Sequence, residues 1–275
     1  FRSLGALIRQ IDPTQVYVVF DGAGSTIGRK NLLPEYKSGR NEQRVTNWEI
    51  FDDLLGNPSI RSIVMTGTGR FFCSGADIES FASAIDDGTI GEMVSGLTSI
   101  LHPMQLKIRS SEKVFVVAIN GSAAGGGLGL ALCADYRVCV PKAKLAAAFF
   151  SLGLSPDGGT TWLLPRLVGV QRAKCFFFNN ETWSGEKAFH YGAVDELVEQ
   201  ENLLERAISI AESWGRWSES SRRSTKQLID ASTSTFMETQ LEFEKLLITN
   251  SSLTSDFAEG VSAFLEKRDP KFGEE

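Results

Sequence analysis

Gly121-Ser122-Ala123-Ala124-Gly125-Gly126-Gly127 stands between a strongly apolar run, VFVVAI, and an apolar segment of helical character at 128–134. Residues without bulky side chains let a ligand approach the main chain, and N–H groups at a helix N-terminus stabilise negative charge. The stretch reads either as half of an oxyanion hole or as a close helix-to-strand packing contact, and the glycines alone leave both open. A second turn, Phe72-Cys73-Ser74-Gly75-Ala76-Asp77-Ile78, also follows a strand-like run, SIVMTG. Asp157 lies further on, in Ser155-Pro156-Asp157-Gly158-Gly159. A carboxylate there can move a proton, although Asp between Pro and Gly is by itself an ordinary turn former. His102, ahead of Pro103, offers another acid/base group, but its helix-rich segment makes it read as a solvated or packing histidine. Cys73 has no histidine placed by sequence to activate it, so it reads as a small packing residue.

Other glycine patterns fail on spacing. Gly22, Gly24 and Gly28 follow a strand-like VYVVF, but as G-x-G-x-x-x-G, and Pro34 falls where a phosphate-binding helix would run. A phosphate-binding loop of the G-x-x-x-x-G-K-[ST] kind is missing its Ser or Thr after Arg29 and Lys30. The 4 cysteines form no C-x-x-C pair and only 2 histidines exist, so neither a metal site nor a disulfide framework is expected, and a reducing, cytoplasmic location fits. A net charge of −6 points to small-molecule partners rather than nucleic acid.

These turns need a scaffold, and 275 residues with 42% hydrophobic content can build one. VYVVF reads as a buried strand closed by Asp21-Gly22, and a short amphipathic helix follows at 48–55, ended by Gly56-Asn57-Pro58. From Ile60 onward the runs IRSIVMTG, KVFVVAIN and ADYRVCV alternate with helical segments, which predicts a sheet with crossover helices. The end of the chain is helical: Leu203, Ala207, Ile210, Ala211 and Trp214 share one face. Phe257, Ala258, Val261, Phe264 and Leu265 share another, with Thr254 as N-cap, and these faces call for a partner surface. No apolar run is long enough to span a membrane and no secretory leader opens the chain, which starts at Phe1 with residues expected upstream.

In order along the chain, SIVMTG, GRFFCSGADI, VAINGSAAGGGLGLALCADYRV, LGLSPDGGTTWLLPRLVG, AVDELV and EGVSAFLEKRDPKF resemble the crotonase (enoyl-CoA hydratase/isomerase) superfamily over residues 57–275. The resemblance implies an α/β fold, a crotonase-like spiral of β-β-α units with a C-terminal helical region, assembled as a trimer or a dimer of trimers. It implies an acyl-CoA thioester substrate, with coenzyme A part of the substrate and no other cofactor. It places the oxyanion-hole amides at Ala76 and Gly126, with Ser74, Gly75, Asp77, Ile78, Gly125, Gly127, Gly129 and Phe149 around the substrate. The two glutamates with which hydratases of this family handle water correspond to Gly129 and Phe149, so Asp157 is left as the acid/base carboxylate. Phe149, Phe150, Leu154 and Trp162 would strip water from that carboxylate if they also surround it in space. The PDGGTTWLLPRLVG run is most similar to the ring-opened and epoxyphenylacetyl-CoA isomerase branch, which implies isomerisation of an unsaturated acyl-CoA; a hydratase or thioester hydrolase is the alternative.

Residues 1–53 resemble instead the N-terminal part of the 5′-nuclease (flap endonuclease, phage RNase H) family, with Asp21 in the position of a metal-binding Asp and Tyr36, Lys37 and Arg40 in that of a phosphate-handling motif. A two-metal nuclease needs further carboxylates, so no nuclease activity is expected; a DNA-binding remnant governed by Arg29 to Arg44, or a folded but inactive chimera, is the alternative of another class. The organisation that follows is a strand-helix segment from an unrelated α/β fold at 1–55, a spiral core at 56–200 and an oligomerisation region at 201–275. VYVVF could alternatively supply a strand that the spiral would otherwise lack, leaving no unpaired sheet edge.

Overall fold

Runs of β-branched and aromatic residues set the strands, and glycine-rich turns carry the chain from one sheet to the next. The computed structural model describes residues 9–11, 16–21 and 47–273. The chain begins with β1 (Arg9–Ile11), β2 (Val16–Asp21) and α1 (Asn47–Gly56), then β3 (Ser62–Gly67), β4 (Phe71–Cys73), α2 (Ile78–Asp86) and α3 (Ile90–Ser110). Next come β5 (Val114–Ile119), β6 (Ser122–Ala124), α4 (Gly126–Cys133), β7 (Tyr136–Cys139) and β8 (Lys144–Ala146). A 3-10 turn (Phe150–Leu152) leads to α5 (Thr160–Val168), α6 (Val170–Phe178), β9 (Thr182–Ser184), α7 (Gly185–His190) and β10 (Glu196–Leu197). The chain closes with α8 (Leu203–Gly215), α9 (Glu219–Ser232), α10 (Met237–Ser251) and α11 (Ser255–Glu266).

Among the described residues the larger sheet runs β1-β2-β3-β5-β7-β10 and the smaller β4-β6-β8-β9. The pairs β3-β4, β5-β6 and β7-β8 each give their first strand to the larger sheet and their second to the smaller, whereas β1 and β2 both join the larger sheet. This is the α/β spiral of β-β-α units that the crotonase resemblance implies. β3 and β5 are buried along their whole length, as parallel strands covered on both faces must be. Lys113, one residue before β5, is buried with them, and its Nζ donates to the carbonyls of Asn57 (2.8 Å) and Ile60 (2.7 Å).

The N-terminal strand is bonded into this same sheet. β2 pairs in parallel with β3 from Val16↔Ser62 to Asp21↔Gly67, which occupies the edge that would otherwise expose a row of unpaired main-chain groups. α1 adds Phe51 and Leu54 to the core, with the Phe51 ring 6.1 Å from that of Phe115. Tyr36, Lys37 and Arg40, on which the nuclease likeness also rested, lie outside the described residues.

The C-terminal helices divide by chemistry. α8 buries Leu203, Ala207, Ile210 and Ala211 as its periodicity predicts, but Trp214, expected on the same face, stays exposed with its ring edge-on to Tyr136, and the Ala211 carbonyl accepts from Ser62 Oγ at 2.7 Å. α9 buries no residue and is held by ions instead: Lys226 Nζ donates to the carbonyls of Ile108 and Lys113 and to Asp135 Oδ2 at 2.9–3.1 Å. Arg109 pairs with Asp230 on the same helix. Thr254 caps α11, accepting from the Phe257 amide, and the apolar face beyond it stays uncovered, with Phe264 83% exposed.

Candidate functional site

Three turns meet where α4 begins. Gly125, ahead of the helix, adopts φ +55° and ψ −128°, a conformation open in practice only to glycine, and this turns the chain from β6 directly into α4. A Cβ on Gly75 would lie 2.9 Å from the Ala124 carbonyl oxygen and 3.7 Å from the Gly126 nitrogen, so the 74–76 turn rests against the α4 N-terminus. A Cβ on Gly127 would overlap the Cys73 carbonyl, so β4 presses on the same helix. Among the described residues no acceptor takes the amide hydrogen of Ala76 or of Gly126, and both residues are partly exposed. α4 is apolar and buried from Gly127 to Cys133, so its N-terminal partial positive charge faces the one part of the helix open to a ligand.

The third turn carries Asp157. A Cβ on Gly158 would sit 3.2 Å from Gly126 Cα, and a Cβ on Gly129 would overlap the Gly158 carbonyl oxygen, so α4 and this turn are in backbone contact. Gln105 Nε2, from α3, donates to the Gly158 carbonyl at 2.8 Å. Thr160 donates to the Asp157 carbonyl from both its amide (3.3 Å) and its hydroxyl (2.8 Å). The Asp157 carboxylate meets His102, with Oδ1 and Nε2 2.7 Å apart.

His102 is exposed, as the solvated reading expected, and the structure adds a contact to the Asp157 carboxylate that this reading did not include. The two residues are 55 apart in sequence, so only the packing of α3 against the 157–159 turn brings them together. Gln105 was also missed. The available signal was spacing: residues three apart on a helix share a face, and His102 and Gln105 both reach the same turn.

The aromatic wall expected around Asp157 is corrected. Phe149 is buried, but Phe150, Leu154 and Trp162 are exposed, and the Asp157 side chain remains 37% accessible. The 3-10 turn and the left-handed Gly153 carry Phe150 outward onto the Phe178 ring, 5.4 Å between centroids. The Arg166 guanidinium lies over Trp162, 3.6 Å from the ring centroid.

The remaining residues singled out line or support the first two turns. Asp77 caps α2, accepting from the Glu79 amide (3.1 Å) and the Ser80 hydroxyl (2.9 Å), while Ser74 and Ile78 are exposed beside it. Cys73 is buried in packing. Burial pushes the Cys133 and Cys139 thiols up to about 12, which removes them as nucleophiles.

Residues 45–275 match the family model described as enoyl-CoA hydratase/isomerase. The 1,2-epoxyphenylacetyl-CoA isomerase of Escherichia coli is 33% identical over 90% of this chain and 93% of its own length. A probable enoyl-CoA hydratase of Rhodobacter capsulatus is 36% identical over 77% of this chain and 80% of its own. The crystal structure of an enoyl-CoA hydratase from a Polaromonas species superimposes with a TM-score of 0.81 at 27% identity, covering 96% of this chain and 99% of that one. Likeness of that extent reaches into the first 53 residues, and nothing supports the 5′-nuclease reading of them. Among the described residues no helix is long and apolar enough to cross a membrane.

Proposed function

Because the chain belongs to the enoyl-CoA hydratase/isomerase family, we propose that it isomerises an unsaturated acyl-CoA thioester through an enolate. In this reading the amides of Ala76 and Gly126 bind the thioester oxygen, and Asp157 removes a proton from the neighbouring carbon and returns it further along the chain. Charge builds on that oxygen as the proton leaves, and each preorganised donor lowers the barrier by about 3–4 kcal/mol. Ser74, Gly75, Asp77, Ile78, Gly125, Gly127, Gly129 and Phe149 form the surroundings of the acyl group. Coenzyme A enters as part of the substrate and no further cofactor takes part.

The observation that carries isomerisation over hydration is the contact at Gly129. Hydratases of this family use two glutamates on water, and position 129 has no room for even a methyl group against the Gly158 carbonyl. The second position is the buried Phe149. Asp77 is engaged in capping, so Asp157 is the carboxylate available among these three turns. One carboxylate suffices to shift a double bond, whereas adding water also requires a group to hold and activate it. The relatives include both an isomerase and a hydratase, so the preference rests on this geometry. The exposed apolar faces of α10 and α11 support assembly into a homotrimer or a dimer of trimers.

The test is turnover of 3-enoyl-CoA and 2-enoyl-CoA, followed by product chromatography. The parent should convert the first to the second without forming the 3-hydroxy product, and Asp157→Asn should lose at least 10²-fold in kcat. Hydration at a rate above isomerisation, or an unchanged rate in Asp157→Asn, would overturn the reading.

A further inference from the structure

Asp157 is held firmly in its main chain and, among the described residues, by a single hydrogen-bond partner at its side chain. Thr160 and Gln105 fix the carbonyls of residues 157 and 158, and Gly129 and Gly126 press on the turn from below. None of these touches the carboxylate. Among the described residues its one hydrogen-bond partner is His102 Nε2, at 2.7 Å from Oδ1. Without that contact, a carboxylate already 37% accessible can rotate toward water and leave the substrate carbon.

We propose that His102 is the positioning residue of Asp157: its Nε2–H donates to Oδ1 and leaves Oδ2 as the oxygen that takes and returns the substrate proton. This deepens the isomerase reading and rests on it. An ionised carboxylate only accepts, so the nitrogen facing it carries hydrogen. The proton balance is closed. The C–H bond next to the thioester breaks, its electron pair enters the enolate, and the proton resides on Oδ2 until it is delivered to the distal carbon. The Nε2–H hydrogen stays on His102 throughout, so the imidazole never takes the substrate proton.

The helix carrying His102 suits this role. His102 and Gln105 lie three residues apart on α3, one gripping the carboxylate and the other the next carbonyl, so a single rigid element registers the acid group against the turn. The pair itself is half exposed on the histidine side, and such pairs contribute little to folding. A structural residue and a positioning residue therefore predict opposite outcomes when His102 is removed.

The experiment compares the parent with His102→Ala, His102→Gln and Asp157→Asn on 3-enoyl-CoA. His102→Ala should lose about 10–10²-fold in kcat with KM within twofold and an unchanged urea midpoint. Added imidazole should restore part of the lost rate, since the half-exposed site is open to it, and His102→Gln, which keeps an N–H donor, should retain most of it. A His102→Ala rate within twofold of the parent, alongside an inactive Asp157→Asn, overturns the positioning role and leaves the isomerase reading intact. A lowered urea midpoint with no imidazole rescue assigns His102 to folding and also overturns it. Should Asp157→Asn stay active, the isomerase reading fails. Imidazole ¹H–¹⁵N correlations of the free protein then judge His102 separately: a protonated Nε2 protected from exchange, lost in Asp157→Asn, upholds the contact, and its absence refutes it.

Discussion

Adding one methyl group at Gly129 tests how tightly the turn that carries Asp157 is clamped to α4. In Gly129→Ala the new Cβ would overlap the Gly158 carbonyl oxygen and lie 2.7 Å from its carbon and 3.0 Å from Cα, all backbone atoms that cannot rotate away. Restoring van der Waals separation requires the 157–159 turn to withdraw by about 1 Å. Overpacking of this kind costs about 1–3 kcal/mol. The same movement breaks the bond from buried Gln105 to the Gly158 carbonyl, a further loss of about 1–3 kcal/mol. Alanine's better helix propensity returns about 1 kcal/mol, which leaves a net destabilisation of about 3 kcal/mol. Because Asp157 rides on the turn, a shift of about 1 Å should also lower kcat by roughly 10²-fold. Gly96→Ala on α3 is the control: its Cβ meets nothing within 4 Å, so propensity alone should stabilise the protein by about 0.5–1 kcal/mol. Urea unfolding and turnover of 3-enoyl-CoA read both effects. Gly129→Ala within about 0.5 kcal/mol and twofold in kcat of the parent would refute the clamp.

Two further expectations concern the frame. Lys226 and Asp135 are 13% and 12% exposed, so Lys226→Met strands a carboxylate whose only remaining donor among the described residues is the Phe115 amide, and should cost about 3 kcal/mol in urea unfolding; a loss below about 1 kcal/mol contradicts this account of α9. The Glu181 carboxyl is held down to about 2, first by the Lys187 ammonium and then by the Trp183 indole N–H. Its folded value lies below the ordinary 4.5, so the stability it adds is complete above that pH and disappears as pH falls toward 2. The gap in thermal midpoint between the parent and Glu181→Gln should accordingly close over that interval, and a gap independent of pH would show that the carboxylate's charge is not the source.

Much of this protein was legible in its residue order, because the signals concerned were local. The apolar runs at Ile63, Val64 and Phe115 to Ile119 had to be buried strands, and Leu203, Ala207, Ile210 and Ala211 had to face a core. Those patterns follow from steric limits and from periodicities of 2.0 and 3.6, which act over a few residues. Tertiary structure alone decided the rest. It paired Val16–Asp21 with β3, brought His102 across 55 residues to Asp157, carried Phe150 and Trp162 outward, and closed the space at Gly129. Each of those outcomes depends on how separate elements pack against one another, and packing joins atoms that are distant along the chain and leave no periodic trace in it.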